Sequence, residues 1–451
     1  MPRYKIYLLT GDILLIIVAF YLAPMLRFGV FLDPDSVFDL SDVVAILMYP
    51  LVFYIFDFYN FQERSSKTEF ILRCALAIFI INFISTSLFF VFHIRPYSAD
   101  LLGISGSFAF VFLVALRLSF RHFLNRAAPL KVLILGAGET GKALYDYLRT
   151  RNDYKVIGFI DDSVDKNGLV VGDVQVMGNS SHLSGLIKKY DIDQVVVAIT
   201  GLVKPEMFRV LVDVKFTGVE VYEMPTFYEK VAEKIPVLHT TSMWLGFAEI
   251  SGVKRNVYNT KLKKIFDKLI SVVALILAMP IMLLTALFIK LESRGPILYK
   301  QERIGKDEKT FELIKFRSMR VDAEANGAVW AMENDPRVTR VGKVIRRLRP
   351  DELPQLWNVL KGDMSFVGPR PERMEFVRYL KKEIPYYALR HAIGPGITGW
   401  AQINYPYGAS TKDALQKLQF DLYYIKNMSV ILDMYIIIQT IRVMLLKKGA
   451  R

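Results

Sequence analysis

The amino-acid sequence predicts a membrane protein that combines α and α/β architecture. It should have a four-helix transmembrane region, then a domain built on a parallel sheet, then a mainly helical domain anchored by one further, bent membrane helix. Three observations carry this class. Four long apolar runs fill the first quarter of the 451 residues; a strand, a glycine-rich turn, a helix and a second strand follow from Lys131; and an uncharged apolar run over residues 269–289 precedes a strongly basic stretch. At about 150 residues per domain, the length holds roughly three such modules. The composition is 53% hydrophobic, which excludes a disordered, collagen-like or ordinary soluble chain. Lys and Arg number 58 against 44 Asp and Glu, a net charge of +14. That balance suits a membrane surface, an anionic substrate or a nucleic acid. The single cysteine, Cys74, excludes an internal disulfide. The first apolar run ends without an Ala-x-Ala-like cleavage site, so it reads as a span rather than a signal peptide.

The spans are expected within residues 1–127, at 6–28, 43–61, 71–92 and 101–120, each near the ~20 residues that cross a ~30 Å hydrocarbon core. Four such runs in succession are hard to bury in a soluble fold. Arg3 and Lys5 precede the first, whereas Asp33, Asp35, Asp39 and Asp42 follow it. Arg64, Lys67 and Arg73 surround the loop between the second and third, and Arg117, Arg121, Arg126 and Lys131 close the fourth. Basic residues therefore gather on the N-terminal side of the membrane, which the positive-inside rule makes cytoplasmic.

Residues 128–250 are expected to form the α/β domain. Lys131-Val-Leu-Ile-Leu is a buried strand that runs into Gly136-Ala-Gly138-Glu-Thr-Gly141. A helix follows to about Arg149, then a strand over 156–160 that ends in Asp161-Asp162. This is the order of a Rossmann-like dinucleotide fold. The three glycines allow a tight turn and close backbone approach, the helix N-terminus faces a phosphate, and Asp161 reaches a ribose. Strands at 194–199 and 218–222, with helices between them, complete the pattern. Two readings stay open: a domain that binds a nucleotide or nucleotide sugar, and one kept for regulation or assembly with its pocket empty. No Tyr-x-x-x-Lys pair occurs in the chain, which counts against redox chemistry here.

Lys261-Leu-Lys-Lys-Ile-Phe-Asp-Lys268 leads into the run 269–289, which would span about 31 Å if straight. Pro280 lies in the middle, removes a backbone donor and clashes with the preceding turn, so a kink is expected. A full crossing would place the Lys- and Arg-dense residues 290–350 outside, against the positive-inside rule. A re-entrant helix over 262–291 that bends at Pro280 and returns to the same face meets both constraints; a fifth true span is the alternative.

The chemistry-bearing stretch follows. It holds Gly295-Pro-Ile-Leu-Tyr-Lys-Gln-Glu-Arg303, Lys315-Phe-Arg317, Asp335-Pro-Arg337 and the arginines Arg346, Arg347 and Arg349. Next come Asp351-Glu352-Leu-Pro-Gln-Leu-Trp-Asn-Val359 and Lys361-Gly-Asp363-Met-Ser-Phe-Val-Gly-Pro369-Arg370-Pro371. Basic residues clamp phosphates, Arg bidentately and Lys as a point charge. A carboxylate among cations stays ionised, which makes Asp351 a candidate nucleophile at phosphorus. Glu352 or Asp363 is a candidate Mg²⁺ ligand, since Mg²⁺ works through one or two carboxylates plus substrate phosphate. On charge pattern alone, a solvated acid–base face is the commoner explanation.

The order of these segments resembles the bacterial sugar transferase family, the monotopic polyprenyl-phosphate phosphoglycosyl transferases, over residues 258–451. Lys315-Phe-Arg-Ser-Met, Asp-Pro-Arg, Asp351-Glu352-Leu-Pro-Gln-Leu, Gly362-Asp-Met-Ser, Val-Gly-Pro-Arg-Pro, Pro395-Gly-Ile-Thr-Gly-Trp-Ala-Gln402 and Asp421-Leu-Tyr-Tyr all occur in order. Four spans and a Rossmann-like domain ahead of them are similar to the large form of that family. Asn404-Tyr-Pro-Tyr-Gly-Ala-Ser410 and the ending Lys448-Gly-Ala-Arg451 resemble exopolysaccharide enzymes associated with exosortase-type systems.

The resemblance implies that the C-terminal domain is catalytic and initiates exopolysaccharide synthesis on the cytoplasmic face of the bacterial inner membrane. Asp351 would attack the β-phosphate of a UDP-sugar, release UMP and hold a covalent phosphosugar. Polyprenyl (undecaprenyl) phosphate in the bilayer would then take it. Glu352 would carry Mg²⁺. Arg346 and Arg370, the latter between Pro369 and Pro371, would engage phosphates or nucleotide, while Lys315, Arg317, Arg390 and Asp421 would line the pocket. A homodimer and downstream polysaccharide assembly enzymes are the implied protein partners. Two departures stand out: Met279-Pro280 where the family often has Ser-Pro, and Gly394 where many members carry Lys or Arg. Gly394 offers an anion no cation, so that role is expected to be absent or supplied by Arg390.

In the remaining sequence, residues 375–391 mix basic and aromatic side chains, suiting either the bilayer interface or a solvated packing helix. Residues 430–446 are apolar, but Asp433, Gln439 and Arg442 argue for a helix packed on the domain or lying in the interface rather than a span. His93, His122, His182, His239 and His391 lack metal spacing, so no zinc site is expected. The charge sits beside membrane segments rather than on an isolated basic face, so no nucleic-acid partner is expected. Two rival functions stand beside the transferase. One is a Rossmann domain that modifies a nucleotide sugar; the other is a non-catalytic assembly scaffold, against which the acid pair among phosphate-binding motifs argues.

Overall fold

The computed structural model describes residues 3–29, 40–56, 58–59, 67–92, 99–126, 128–201, 205–254, 256–323, 335–406, 408 and 410–445. Asp33, Asp35, Asp39, Arg64, Tyr407, Ala409 and residues 448–451 lie outside the described residues. The chain divides into two compact units, Met1–Ala128 and Pro129–Arg451.

The first unit is four apolar helices: α1 (Arg3–Phe28), α2 (Leu40–Ile55), α3 (Lys67–Phe92) and α4 (Ala99–Arg126). Small and aromatic side chains build its core, among them Ala19, Phe20, Tyr49, Phe53, Cys74, Ala77 and Leu113. Leu26, Leu47, Phe79 and Phe83 point outward and are exposed. Helices whose outer solvent is lipid have that distribution, with small residues letting backbones approach. Helices α1, α3 and α4 are long and apolar enough to cross a membrane. Helix α2 has 16 residues, about 24 Å at 1.5 Å per residue, and ends well before the expected limit at residue 61.

The chain beyond Ile55 has another task. The Phe58 carbonyl accepts Arg117 Nε at 2.8 Å, while Arg117 Nη1 and Nη2 donate to Asp12 at 2.9 and 2.6 Å. Tyr59 lies under the same guanidinium. Arg117, read from sequence as part of the basic flank, is therefore a buried interhelical residue and contributes nothing to flank charge. A buried cation has to be paired and hydrogen-bonded to be tolerated at all, and Arg117 is both.

The second unit begins with the α/β module: β1 (Leu130–Leu135), α5 (Glu139–Leu148), β2 (Tyr154–Ile160), a small hairpin of β3 (Val170–Val171) and β4 (Val174–Gln175), α6 (Leu183–Tyr190), β5 (Gln194–Val197), α7 (Pro205–Phe216), β6 (Glu220–Glu223) and α8 (Met224–Ala232). The main sheet is parallel in the order β2-β1-β5-β6. Alternation along β1 covers both faces. Val132 and Ile134 pack with Leu144 and Phe227, and Leu133 and Leu135 pack with Leu183 and Leu211. Parallel strands buried on both sides need such continuous apolar sequence.

After α9 (Ser242–Phe247) comes α10 (Lys263–Glu292), an unbroken helix with Pro280 inside it. The C-terminal part then adds the hairpin β7 (Leu298–Ile304) and β8 (Thr310–Phe316), α11 (Arg340–Leu348), α12 (Gln355–Lys361), β9 (Ser365–Val367), α13 (Met374–Glu383), β10 (Gly396–Thr398), α14 (Trp400–Asn404), α15 (Thr411–Asn427) and α16 (Val430–Leu445). Leu277, Leu283 and Leu291 of α10 are exposed. Both ends of α10 rest on the same domain. Near its start Lys263 reaches Asp433 and Asp267 reaches Ser365. Near its end Ile289 packs on Phe316 and Ile345, and Glu292 accepts Val341 N–H. Helix α16 is packed on the domain, with Asp433 and Ile436 buried.

The module and the C-terminal part are tied by named contacts. Ile235 N–H donates to Gln419 O at 3.0 Å, Trp400 Nε1 donates to Glu233 O at 2.9 Å, and Asn427 Nδ2 donates to Glu229 at 2.8 Å. Ile235 and Val237 join the C-terminal core beside Leu418, Leu422 and Tyr424.

Candidate active site

The acid pair sits on a turn that the local sequence dictates. Helix α11 stops at Arg349, which takes a left-handed φ of 63°, and Pro350 opens a single 3₁₀ turn over Pro350–Glu352. Proline suits that position because its fixed φ starts a helical turn and its missing N–H is not needed there. Asp351 and Glu352 thus project from the corner between α11 and α12.

Beside that corner lies the β7–β8 hairpin, where Lys315 pairs across the strands with Tyr299 and places Nζ 5.1 Å from the ring centroid. Asn358 fixes this strand. Its side chain accepts Ile314 N–H at 3.0 Å and donates to Glu312 O at 2.7 Å, so it imitates a neighbouring strand along the edge of β8. On the other side, β9 runs into Gly368-Pro369-Arg370-Pro371, and Arg370 Nη2 donates to Glu352 Oε1 at 2.6 Å. Pro369 O accepts Gly396 N–H and Pro371 O accepts Arg303 Nη1, which hold the Arg370 backbone from both sides.

The electrostatics separate the two acids. Burial first, and the Glu352 charge second, push the Asp351 carboxyl up to about 7, against the opposing pull of Lys315, Arg370 and Arg346. Burial also acts to raise Glu352, but Arg370, then Arg349 and Lys315, outweigh it and hold that carboxyl below its ordinary value. The expectation that surrounding cations keep Asp351 ionised therefore needs correction: desolvation and a like charge next door are the stronger influences. Burial, helped by Arg303, lowers Lys315 to about 8.

Other residues singled out from sequence fall in different places. Arg390 and Asp421 form a buried ion pair at 2.7 Å, and Arg390 also donates to Tyr387 and to Arg370 O. Its Nη groups are thus engaged within the protein. Arg390 also lines a small open cleft with Glu372, Phe376, Tyr387, Ser410 and Lys417. Sequence reading passed over Glu372 and Lys417; their signals were adjacency to Pro-Arg-Pro and a four-residue step before Asp421. Arg317 donates to the carbonyls of Arg294 and Ser293 and to Ser293 Oγ. It closes the chain leaving α10 and stands apart from the acid pair. Asp335 and Arg337 bind each other, with Arg337 also on Ala323 O, so that motif builds its own loop. Asp363 is taken up by Lys361 and Asn358 at the far end of α12.

In the α/β module Gly136 has φ of 111°, and a Cβ at Gly141 would lie 2.0 Å from Gly136 O, so the tight turn requires both glycines. Gly138 precedes α5 with open space around it. Asp161 points back into the turn: it accepts Ala137 N–H, Ser163 N–H and Lys166 Nζ at 2.8 to 2.9 Å. A ribose would have to displace Lys166 to use it.

The profile of the bacterial sugar transferase family matches residues 258–447, and that of a CoA-binding domain matches residues 54–225. An Aeromonas hydrophila protein named UDP-N-acetylgalactosamine-undecaprenyl-phosphate N-acetylgalactosaminephosphotransferase is 45% identical over 246 residues, covering 54% of this chain and 57% of its own. The undecaprenyl-phosphate glucose phosphotransferase of Komagataeibacter xylinus is 33% identical, covering 71% of this chain and 60% of its own. The UDP-glucose:undecaprenyl-phosphate glucose-1-phosphate transferase of Xanthomonas campestris pv. campestris is 32% identical, covering 73% and 70%. The match thus spans less than two thirds of the first two relatives and more than two thirds of the third. With its C-terminal motifs inside the matched region, this chain belongs to the bacterial sugar transferase family.

Proposed function

We propose that the chain transfers a sugar 1-phosphate from a UDP-sugar to polyprenyl phosphate, on the cytoplasmic face of a bacterial inner membrane, to start an exopolysaccharide. The observation that carries this reading is the Asp351–Glu352 corner, where Arg370 Nη2 donates to Glu352 and where Lys315, Arg346 and Arg370 stand within electrostatic reach of Asp351. The relatives' names combine undecaprenyl phosphate with N-acetylgalactosamine in one case and glucose in two, so the sugar itself is left to experiment.

In this reading an Asp351 carboxylate oxygen attacks the β-phosphorus. The bond from that phosphorus to the bridging oxygen breaks, and UMP leaves with the oxygen and the electron pair. An oxygen of polyprenyl phosphate then attacks the same phosphorus, the Asp351 ester breaks, and the carboxylate is regenerated. Lys315, Arg346 and Arg370 oppose the charge spread over the phosphoryl oxygens.

Among the described residues no cluster of three metal-ligating side chains occurs. Mg²⁺ needs only one or two carboxylates beside substrate phosphate, and Glu352 would be the residue to hold it. The ion would neutralise diphosphate charge. Helix α10 is read as re-entrant, supported by the contact of both its ends with one domain. The product would pass to polysaccharide assembly enzymes.

The test is UMP release from a panel of UDP-sugars with polyprenyl phosphate and Mg²⁺. The wild type should release UMP from one or a few donors, and Asp351→Asn should not. Silence with every donor in a folded, lipid-supplied preparation would refute the transferase reading.

A further inference from the structure

Asp267 is the one acidic side chain on α10 between Lys263 and the apolar stretch that ends at Ile289. Its carboxylate leaves the helix sideways. Oδ2 accepts Ser365 Oγ at 2.7 Å and Oδ1 accepts Phe366 N–H at 3.1 Å, both on β9. One turn earlier on the same face, Lys263 Nζ donates to Asp433 at 2.5 Å and to Tyr424 OH at 3.3 Å. Tyr424 OH in turn lies 2.6 Å from Asp433 and 3.3 Å from Val367 O. The membrane helix therefore grips β9 at Ser365, Phe366 and, through Tyr424, at Val367. Three residues beyond Val367 stands Arg370, which holds Glu352.

A carboxylate at the edge of an apolar membrane segment is costly unless its hydrogen bonds are met. Here β9 meets them, so the rotation and depth of α10 are registered to the strand that carries Arg370. At the other end Glu292 and Arg317 secure the same helix. The two substrates of the proposed reaction differ in how much they need this. The UDP-sugar arrives from water at the acid corner. The lipid phosphate arrives along the bilayer, at a depth that α10 sets.

We infer that Asp267 is a positioning residue for the acceptor step: by locking the membrane helix to β9 it brings the lipid phosphate into line with the phosphorus carried by Asp351. The inference rests on the transferase reading and deepens it.

The experiment separates the half-reactions in the full-length protein in lipid. The first is the single burst of UMP formed from the UDP-sugar without lipid acceptor. The second is the decay of the phosphosugar-loaded protein when polyprenyl phosphate is added. For Asp267→Asn, the burst should stay within about threefold of wild type. The acceptor step should slow, or its KM rise, by about tenfold to a hundredfold, as expected for a reactant misplaced by about an ångström. Ser365→Ala, a milder lesion that leaves the backbone contact, should move the acceptor step the same way by less, and Ser365→Thr should restore it. Equal loss in both half-reactions, or no loss in either, would overturn the inference while the wild-type burst still stands. Absence of a burst from the wild type would remove the transferase reading and this inference with it.

Discussion

Arg370 Nη2 donates to Glu352 Oε1 at 2.6 Å, and that contact divides two adjacent carboxyls into unlike groups. Glu352 is held low chiefly because Arg370 offsets its desolvation; Asp351, half-buried and next to that charge, is raised to about 7. Environments that push neighbouring acids apart can assign them different tasks, which in the proposed reaction are those of an ion-binding carboxylate and a nucleophile.

The pH dependence of the donor step follows. In the proposed reaction Asp351 acts as the anion, so kcat/KM for the UDP-sugar should rise as pH climbs through about 7. Lys315 helps as the cation and is lowered to about 8, so the rate should fall again above that value. Arg370→Ala removes a cation that opposes the Asp351 shift, and its acid limb should move to higher pH. A pH profile of single-turnover UMP release reads both limbs; a flat profile from pH 6 to 9 would contradict the assignment.

Asn358→Ala should weaken the site without touching substrate. It leaves Glu312 O and Ile314 N–H, two part-buried backbone groups on the edge of β8, without their partner. At roughly 1 kcal/mol for each part-buried group, the low end for an unmet hydrogen bond, the cost should be about 2 kcal/mol. Thermal unfolding in detergent or nanodiscs measures the destabilisation, and the alkaline limb set by Lys315 should shift with it.

The Asp12–Arg117 pair is buried on both sides. Arg117→Met leaves the Asp12 carboxylate without its cation and should cost about 3 to 5 kcal/mol, whereas Asp12→Leu with Arg117→Met should recover most of that loss. Unfolding of the three variants, followed as a double-mutant cycle, would show the recovery. A double variant no better than the single one would mean that the pair is needed for more than mutual neutralisation.

Asp161→Ala should loosen the glycine turn of the α/β module, because Ala137 N–H and Ser163 N–H both lose their acceptor. Hydrogen exchange at Ala137 and Ser163 should accelerate, with UMP release by the folded protein unchanged. Loss of UMP release with unchanged exchange would instead place Asp161 in the reaction.

Sequence by itself determined the broad architecture and singled out the acid pair with its basic neighbours. Apolar runs, short buried strands and the glycine turn are local signals, since each depends on residues a few positions apart. The Asp-Glu pair and its neighbouring arginines were legible for the same reason: Arg346, Asp351 and Glu352 share one helix end and the turn that follows it. What only the tertiary structure decided was which motif residues meet. Arg317 looked like a pocket residue and instead closes the end of α10, because free carbonyls at a helix end draw a guanidinium. Arg117 looked like membrane-flank charge and is buried against Asp12, more than a hundred positions away. The state of Asp351 also escaped the sequence. Its charge neighbours can be counted along the chain, but the desolvation that outweighs them exists only once β8, α11 and α12 have closed around it.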